Sequence, residues 1–160
     1  MSPVDEIIAR AQPGHQPILR ALANLLTSGA SRAVILERSV TLLKQARPHY
    51  TWLGIYLLEG DTLVLGPYIG RPTQHVRIPL GQGICGLAAR TKETVNVPDV
   101  NADPRYLACS LETKSELVVP IMKGSRVLGE IDIDSDEPAA FTKEDEELLE
   151  HVAEMLALLW

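Results

Sequence analysis

Two segments in the second half of the chain, residues 115–122 and 126–134, are rich in apolar and branched side chains and are separated by the turn sequence KGS. This pattern predicts a β-hairpin, because the glycine suits a tight turn between two strands. Residues 50–58 and 62–68 repeat the pattern around the turn EGD. Two such hairpins predict an antiparallel sheet, which needs a second layer to cover its apolar face.

The sequence before and after the hairpins has helical patterns. Apolar residues recur at helical spacing in residues 17–26 and 31–46, and Thr142 can cap a third helix. The buried stripe of that last helix is expected to consist of Leu148, Leu149, Val152, Leu156 and Leu159. Between the hairpins, HVRIPL and TVNVPDV predict short strands, and GQGICGLAARTKE predicts a turn followed by a short helix. The predicted class is therefore α+β, with the N- and C-terminal helices packed on one face of the sheet.

Length and composition limit the classes of protein to consider. The chain has 160 residues, which predicts a single domain over 1–160, with N-terminal helices in 1–47 and the sheet core and C-terminal helix in 50–160. A net charge of −6 argues against nucleic acid as a partner. No apolar run approaches the ~20 residues that span a bilayer, and the first residues do not predict a secretory signal. We therefore expect a cytoplasmic protein with no membrane partner, whose two cysteines are free or transiently paired.

Acidic residues alternate with isoleucines in the sequence EIDIDS. Asp132 and Asp134 are expected on one face of a strand, with Ile131 and Ile133 on the other. Glu116 begins the partner strand of the same hairpin. Either these carboxylates form a solvent-facing surface, or they point into a pocket that holds an ammonium group or shares a proton.

Trp52 and Tyr56 lie four residues apart in one predicted strand, on the same face. Aromatic residues make up only 4% of the chain. The two rings either pack in the core or form the apolar wall of a ligand pocket.

The two cysteines do not form a C-x-x-C pair. Cys85 lies in GQGICG, where the start of the following helix favours a thiolate, and Cys109 lies in a predicted loop. The glycines around Cys85 match neither common nucleotide-binding loop. The four histidines are dispersed without metal-ligand spacing. We expect no metal and no cofactor.

Taken together, these residues resemble a known family. The segments WLGIYLLEGDTLVLGPYIG, VRIPLGQGICG, VPDV and IDIDS, with Cys109 seven residues before Glu116, are similar to the free methionine-(R)-sulfoxide reductases, which are GAF domains. The resemblance covers residues from Tyr50 to the C-terminus. Its most selective part is the joint spacing of Trp52, Tyr56, Cys109, Glu116, Asp132 and Asp134.

The resemblance implies a role for each of these residues. Cys109 matches the thiol that attacks the sulfoxide sulfur, and Cys85 matches the thiol that resolves the sulfenic acid as a disulfide. The residues that match acids binding the substrate amino group and delivering protons are Glu116, Asp132 and Asp134. Trp52 and Tyr56 match residues that face free methionine-R-sulfoxide. Thioredoxin or a similar dithiol reductant would restore both thiols.

The chain departs from the family pattern in three places, one of which is DPRYLAC, where members usually have a glycine-histidine stretch ahead of the catalytic cysteine. His75 stands where many members have a third cysteine, which makes this chain similar to the two-cysteine type. Glu130 replaces an expected apolar residue, and we expect its side chain on the outward face. The alternative to a reductase is a GAF sensor or binding domain that uses the same pocket without chemistry. The N-terminal helices and the apolar C-terminal sequence EMLALLW further predict a two-fold helical interface in a homodimer.

Overall fold

The computed structural model describes residues 1–108 and 111–160, so Cys109 lies outside the described residues. The helices are α1 (Pro3–Arg10), α2 (Gln16–Leu26), α3 (Arg32–Ala46), α4 (Gly83–Thr91) and α5 (Lys143–Ala157). The strands are β1 (Trp52–Glu59), β2 (Thr62–Ile69), β3 (Arg77–Pro79), β4 (Val95–Val97), β5 (Ser115–Lys123) and β6 (Arg126–Ser135). A 3-10 turn, Val100–Ala102, follows β4.

The strands form one antiparallel sheet in the order β3-β2-β1-β6-β5-β4. Both predicted hairpins are confirmed, as β1-β2 and β5-β6, and they join along β1 and β6. The predicted α+β class is also confirmed. Helix α1 was not predicted, since it has only eight residues and a single buried side chain, Ile7. Its start is set by Ser2, whose hydroxyl caps the helix in a reciprocal pair with Asp5.

One face of the sheet carries the main hydrophobic core. Ile131 and Ile133 of β6 pack there among residues of α1, α2, α3 and α5, as the alternation in EIDIDS predicts. Four of the five predicted stripe residues lie in α5 and are buried, whereas Leu159 follows the end of the helix and packs against the core partly exposed. Thr142 caps this helix as predicted. The N- and C-terminal helices thus lie on one face of the sheet.

The other face is covered by α4 and by the connections around it. A second buried cluster joins α4 to the sheet, and it includes Trp52, Tyr56 and Val118 from the strands and Ile84 and Cys85 from the helix. This face also carries the acidic residues of β6. They are buried, because α4 and the connections around it separate them from solvent.

Trp160 has a contact within the same chain. The guanidinium carbon of Arg32 lies 4.3 Å from the centre of its ring, at cation–π distance. The predicted homodimer stays a prediction. Among the helices in the described part of the chain, none combines the length and the apolar character needed to cross a membrane.

Candidate active site

The acidic and aromatic residues meet on three adjacent strands. Strand register aligns the following rows across β1, β6 and β5: Trp52, Asp134 and Glu116; Gly54, Asp132 and Val118; Tyr56, Glu130 and Pro120. Alternate residues of a strand share a face, so these rows lie opposite the isoleucines of β6. The site predicted from the sequence is thereby brought together, except for Cys109, which lies outside the described residues.

The carboxylates of this face are buried. Asp132 and Asp134 are each 3% exposed, Glu116 is 5% exposed and Glu130 is 0% exposed. The interpretation of these carboxylates as a solvent-facing strand surface is therefore wrong. The expected outward orientation of Glu130 is also wrong, because Glu130 is two residues from Asp132 and shares its face.

Burial makes these acids hold their protons more tightly than usual. It raises the pKa of Asp132, Asp134 and Glu130, and the charge of Asp132 raises the pKa values of Asp134 and Glu130 further. Hydrogen bonds from Glu116 partly offset the shifts at Asp132 and Asp134. The cluster can therefore donate protons at a pH where an exposed carboxylic acid is ionised.

Cys85 lies above the acids in the first turn of α4 and is 4% exposed. The sequence favoured a thiolate here because of the helix start. Burial instead raises the pKa of the thiol well above its usual value, and the charges of Asp132, Glu130 and Glu116 raise it further. The protonated thiol is thus the stable form of Cys85 until a base removes its proton.

The two aromatic residues hold the connection between β2 and β3. The Trp52 indole nitrogen donates to the carbonyl oxygen of Arg71 at 3.0 Å, and the Tyr56 hydroxyl donates to that of His75 at 2.7 Å. The Trp52 ring also stacks on Tyr68 at a centroid distance of 5.4 Å. Hence both side chains combine apolar packing with a directed hydrogen bond.

Gly54 leaves room for the Trp52 ring to lie along the sheet. A Cβ atom at position 54 would lie 2.5 Å from the Cη2 atom of that ring and 2.9 Å from the Cβ atom of Tyr68. Both distances are shorter than van der Waals contact allows. Position 54 therefore requires glycine for the observed ring position.

A small cavity of about 10 Å³ lies between α4 and the sheet. Its walls include Tyr56, Cys85, Glu116 and Asp132, with His75 and Leu107 from the surrounding connections. Trp52 and Asp134 do not line this cavity. The space corresponds to about one water molecule.

Residues 16–160 match the GAF domain family. The chain is a GAF domain. It is 36% identical to the free methionine-R-sulfoxide reductase of Escherichia coli K12 over 132 residues, which cover 82% of this chain and 79% of the relative. The type II free methionine-R-sulfoxide reductase of Thermoplasma acidophilum has a similar structure, with 44% identity, a TM-score of 0.78 and coverage of 80% of this chain and 91% of that one. The corresponding reductase of Neisseria meningitidis, solved in complex with its substrate, has 32% identity, a TM-score of 0.82 and coverage of 93% and 91%.

Three side chains of this GAF domain are close enough together to hold a metal ion. One donor atom each from Cys85, Glu116 and Asp132 lies within 4.8 Å of the other two. Metal binding requires the thiolate, and the raised pKa of Cys85 opposes its formation. The absence of a bound metal stays a prediction.

Sequence reasoning did not assign Glu130, Gly54, His75 or Leu107 to the site of this GAF domain. The sequence did contain a signal for the position of Glu130, because its even spacing from Asp132 and Asp134 places all three side chains on one face of β6. Gly54 had none, since its role depends on where the Trp52 ring lies. His75 and Leu107 line the cavity from connections between elements. The path of a connection cannot be predicted from residue periodicity.

Proposed function

We propose that this GAF domain reduces free L-methionine-R-sulfoxide to methionine, with Cys109 as the attacking thiol and Cys85 as the resolving thiol. The observation that carries the proposal is the burial of Glu116 and Asp132 beside the Cys85 thiol, with Asp134 buried across from Glu116 in the same sheet. Relatives at 32–44% identity that carry the name of this activity support it.

The acidic cluster suits the substrate's ammonium group. Buried carboxylates without a cation are unfavourable, and an ammonium ion that enters beside them supplies the missing charge. A peptide-bound methionine sulfoxide has an amide in place of that ammonium and cannot supply it. The cluster thus favours the free amino acid.

The first chemical step transfers oxygen from the substrate to the protein. The Cys109 sulfur attacks the sulfoxide sulfur while a buried carboxylic acid protonates the sulfoxide oxygen. The attack forms an S–S bond in a short-lived intermediate, from which the hydroxyl moves from the substrate sulfur to the Cys109 sulfur while the S–S bond and the substrate S–O bond break. Methionine leaves, and Cys109 becomes a sulfenic acid. The raised pKa values of Asp132 and Asp134 fit the role of proton donor.

The second step restores a stable sulfur state. Cys85 attacks the sulfenic sulfur of Cys109, a disulfide forms, and the hydroxyl leaves as water after taking up a proton. A dithiol such as thioredoxin then reduces the disulfide by thiol exchange and is itself oxidised. This requirement fits a reducing compartment, which we propose to be the cytoplasm, and we propose that the protein acts as a homodimer.

Substrate entry requires one wall of the site to move. A cavity of about 10 Å³ is too small for an amino acid. The sheet residues are held by strand register, whereas His75 and Leu107 belong to connections. We therefore assign the opening to the connections around these two residues.

The test is to incubate the purified protein with free methionine-R-sulfoxide and dithiothreitol and to quantify methionine. Wild type is expected to form methionine, Cys109→Ser to form none, and Cys85→Ser to complete one turnover with impaired recycling by thioredoxin. The S epimer and a peptide-bound sulfoxide serve as substrate controls. Failure of folded, reduced wild type to form methionine would contradict the proposal and favour a GAF domain that binds a ligand without chemistry.

A further inference from the structure

The Cys85 thiol and two carboxyl groups of the sheet form a compact set of donor atoms. One atom each from Cys85 of α4, Glu116 of β5 and Asp132 of β6 lies within 4.8 Å of the other two. The three residues are 4%, 5% and 3% exposed. All three line the cavity of about 10 Å³, so a helix and two strands present donors to one small space.

One oxygen of these residues has no partner. The Oδ1 atom of Asp132 is buried and makes no hydrogen bond to any residue from 1–108 or 111–160. A buried carboxylate oxygen is costly unless a hydrogen-bond donor or a cation reaches it. Because Asp132 lines the cavity, a group that occupies the cavity can supply this missing contact.

The chemistry of the donors selects the kind of cation. Zn²⁺ binds thiolate sulfur and carboxylate oxygen at about 2.0–2.3 Å, so the ligand atoms of a tetrahedral site lie about 3.3–3.6 Å apart. A contraction of at most about 1.5 Å brings the three donor atoms into this range. An open zinc site has three protein ligands and one water, and the cavity has room for about one water. Mg²⁺ and Ca²⁺ instead prefer sites made of oxygen alone.

We propose that the reduced protein binds one thiophilic divalent cation of the Zn²⁺ class through Cys85, Glu116 and Asp132, and that this ion inhibits it. The metal bonds to the Cys85 sulfur and to one oxygen of each carboxylate, and the protons that these groups carried pass to solvent. No oxidant or reductant takes part. The ion occupies the position of the substrate's ammonium and holds the resolving thiol, so it is an inhibitor and not a cofactor. The inhibition rests on the proposed function, whereas the binding does not.

The protonated state of Cys85 does not prevent this binding. Burial and, after it, the charges of Asp132, Glu130 and Glu116 raise the pKa of the thiol. The acids that oppose a free thiolate attract a divalent cation, and a bound Zn²⁺ removes the proton of a coordinating thiol. The ion thus pairs with the buried carboxylates and the thiolate at the same time.

The first experiment measures binding without any substrate. Zn²⁺ is titrated into reduced, desalted protein in competition with a chromophoric chelator, and one ion per chain is expected. Cys85→Ser, Asp132→Asn and Glu116→Gln should each weaken the affinity by about a hundredfold, because changes even to the groups that support metal ligands cost about 10–100-fold. The matched control Asp61→Asn, at an exposed position, and Cys109→Ser should keep the wild-type affinity. Circular dichroism verifies that each variant is folded.

A second readout identifies the sulfur ligand. Co²⁺ in place of Zn²⁺ gives a thiolate-to-metal charge-transfer band only where a cysteine sulfur is bound. The band is expected in wild type and in Cys109→Ser and should disappear in Cys85→Ser. Wild-type zinc affinity in the folded carboxyl variants or in Cys85→Ser would overturn the proposal. A loss of the site in Cys109→Ser would overturn it too, because the ion would then be held by both thiols.

The third experiment tests inhibition in a single turnover of pre-reduced protein, since dithiothreitol itself binds zinc. Zn²⁺ should raise the concentration of free methionine-R-sulfoxide needed for half-maximal methionine formation, and a chelator should reverse the effect. Cys85→Ser, which still completes one turnover, should resist Zn²⁺ concentrations that inhibit wild type. Inhibition that excess substrate does not relieve, or equal inhibition of Cys85→Ser, would contradict the assigned position of the ion.

These measurements separate this inference from the proposed function. If Zn²⁺ binding depends on Cys85 and Asp132 in a protein that forms no methionine, the proposed function fails and the metal site stands. If the protein forms methionine but binds no Zn²⁺, the function stands and this inference is overturned.

Discussion

His75 donates a hydrogen bond from its Nε2 atom to the carbonyl oxygen of Ala108, at 2.8 Å. A carbonyl oxygen only accepts, so the bond specifies the tautomer with the proton on Nε2. The bond ties the connection between β2 and β3 to the residue directly before Cys109. Many members of the family have a cysteine at this position. In this chain the position is His75, which forms a hydrogen bond to the residue before Cys109.

We expect His75→Ala to lower kcat/KM for methionine sulfoxide by up to about tenfold, because it removes one hydrogen bond worth about 0.5–1.5 kcal/mol. His75→Gln keeps a side-chain donor and should lose less. His49→Ala, at an exposed position before β1, is the matched control. Equal steady-state kinetics in His75→Ala and wild type would show that the bond does not position Cys109.

Gly54→Ala should disturb the site through Trp52 and Tyr68. The added Cβ would lie 2.5 Å from the indole ring, so the ring must move and lose its stacking on Tyr68. We expect a loss of about 1–3 kcal/mol in the free energy of unfolding, as for other overpacked sites, and lower activity. Gly14→Ala, where a Cβ meets no atom within 4 Å, is the control. Normal tryptophan fluorescence and activity in Gly54→Ala would contradict this account.

Asp134→Asn should weaken recognition of the free amino group. The Asp134 carboxyl is 3% exposed and lies across from Trp52 and Glu116. An ammonium group that enters beside it favours the ionised form, and the resulting ion pair acts at short range. We expect KM for free methionine-R-sulfoxide to rise by about tenfold or more. An N-acetylated substrate lacks the ammonium group and binds poorly to either protein, so its KM should change much less. Asp61→Asn in the exposed β1-β2 turn is the matched control. A uniform loss for both substrates would contradict a role in binding the ammonium group.

The sequence predicted the sheet and the helices well because their determinants are local. Period-two alternation in EIDIDS placed the isoleucines and the aspartates on opposite faces, and Thr142 located the start of α5. The protonation of Cys85 was not predictable in the same way. A helix start favours a thiolate, but burial of the thiol and, after it, three acids from β5 and β6 raise the pKa of Cys85, and both effects depend on tertiary packing.

Stability should fall as pH rises, because several acids of the site are held in their protonated form. Burial raises the folded-state pKa values of Glu130 and Asp134 above the ordinary values of 4.5 and 3.8. The folded state therefore binds more protons than the unfolded state above about pH 4. This contribution is fully present below the ordinary pKa values and is lost as pH rises through the raised ones.

Glu130→Gln and Asp134→Asn are each expected to raise the melting temperature of the unliganded protein at about pH 8 and to have little effect at about pH 4. Each kcal/mol of relieved charge burial corresponds to about 2–4 °C for a chain of this size. Thermal unfolding across the pH series, with the exposed Glu137→Gln as control, measures the effect. A melting temperature that drops at about pH 8 in both variants would mean that the ionised carboxylates have stabilising partners, which contradicts the direction of their pKa shifts. Asp134→Asn should also lose activity, because this buried acid, which destabilises the free protein, is assigned to the chemistry.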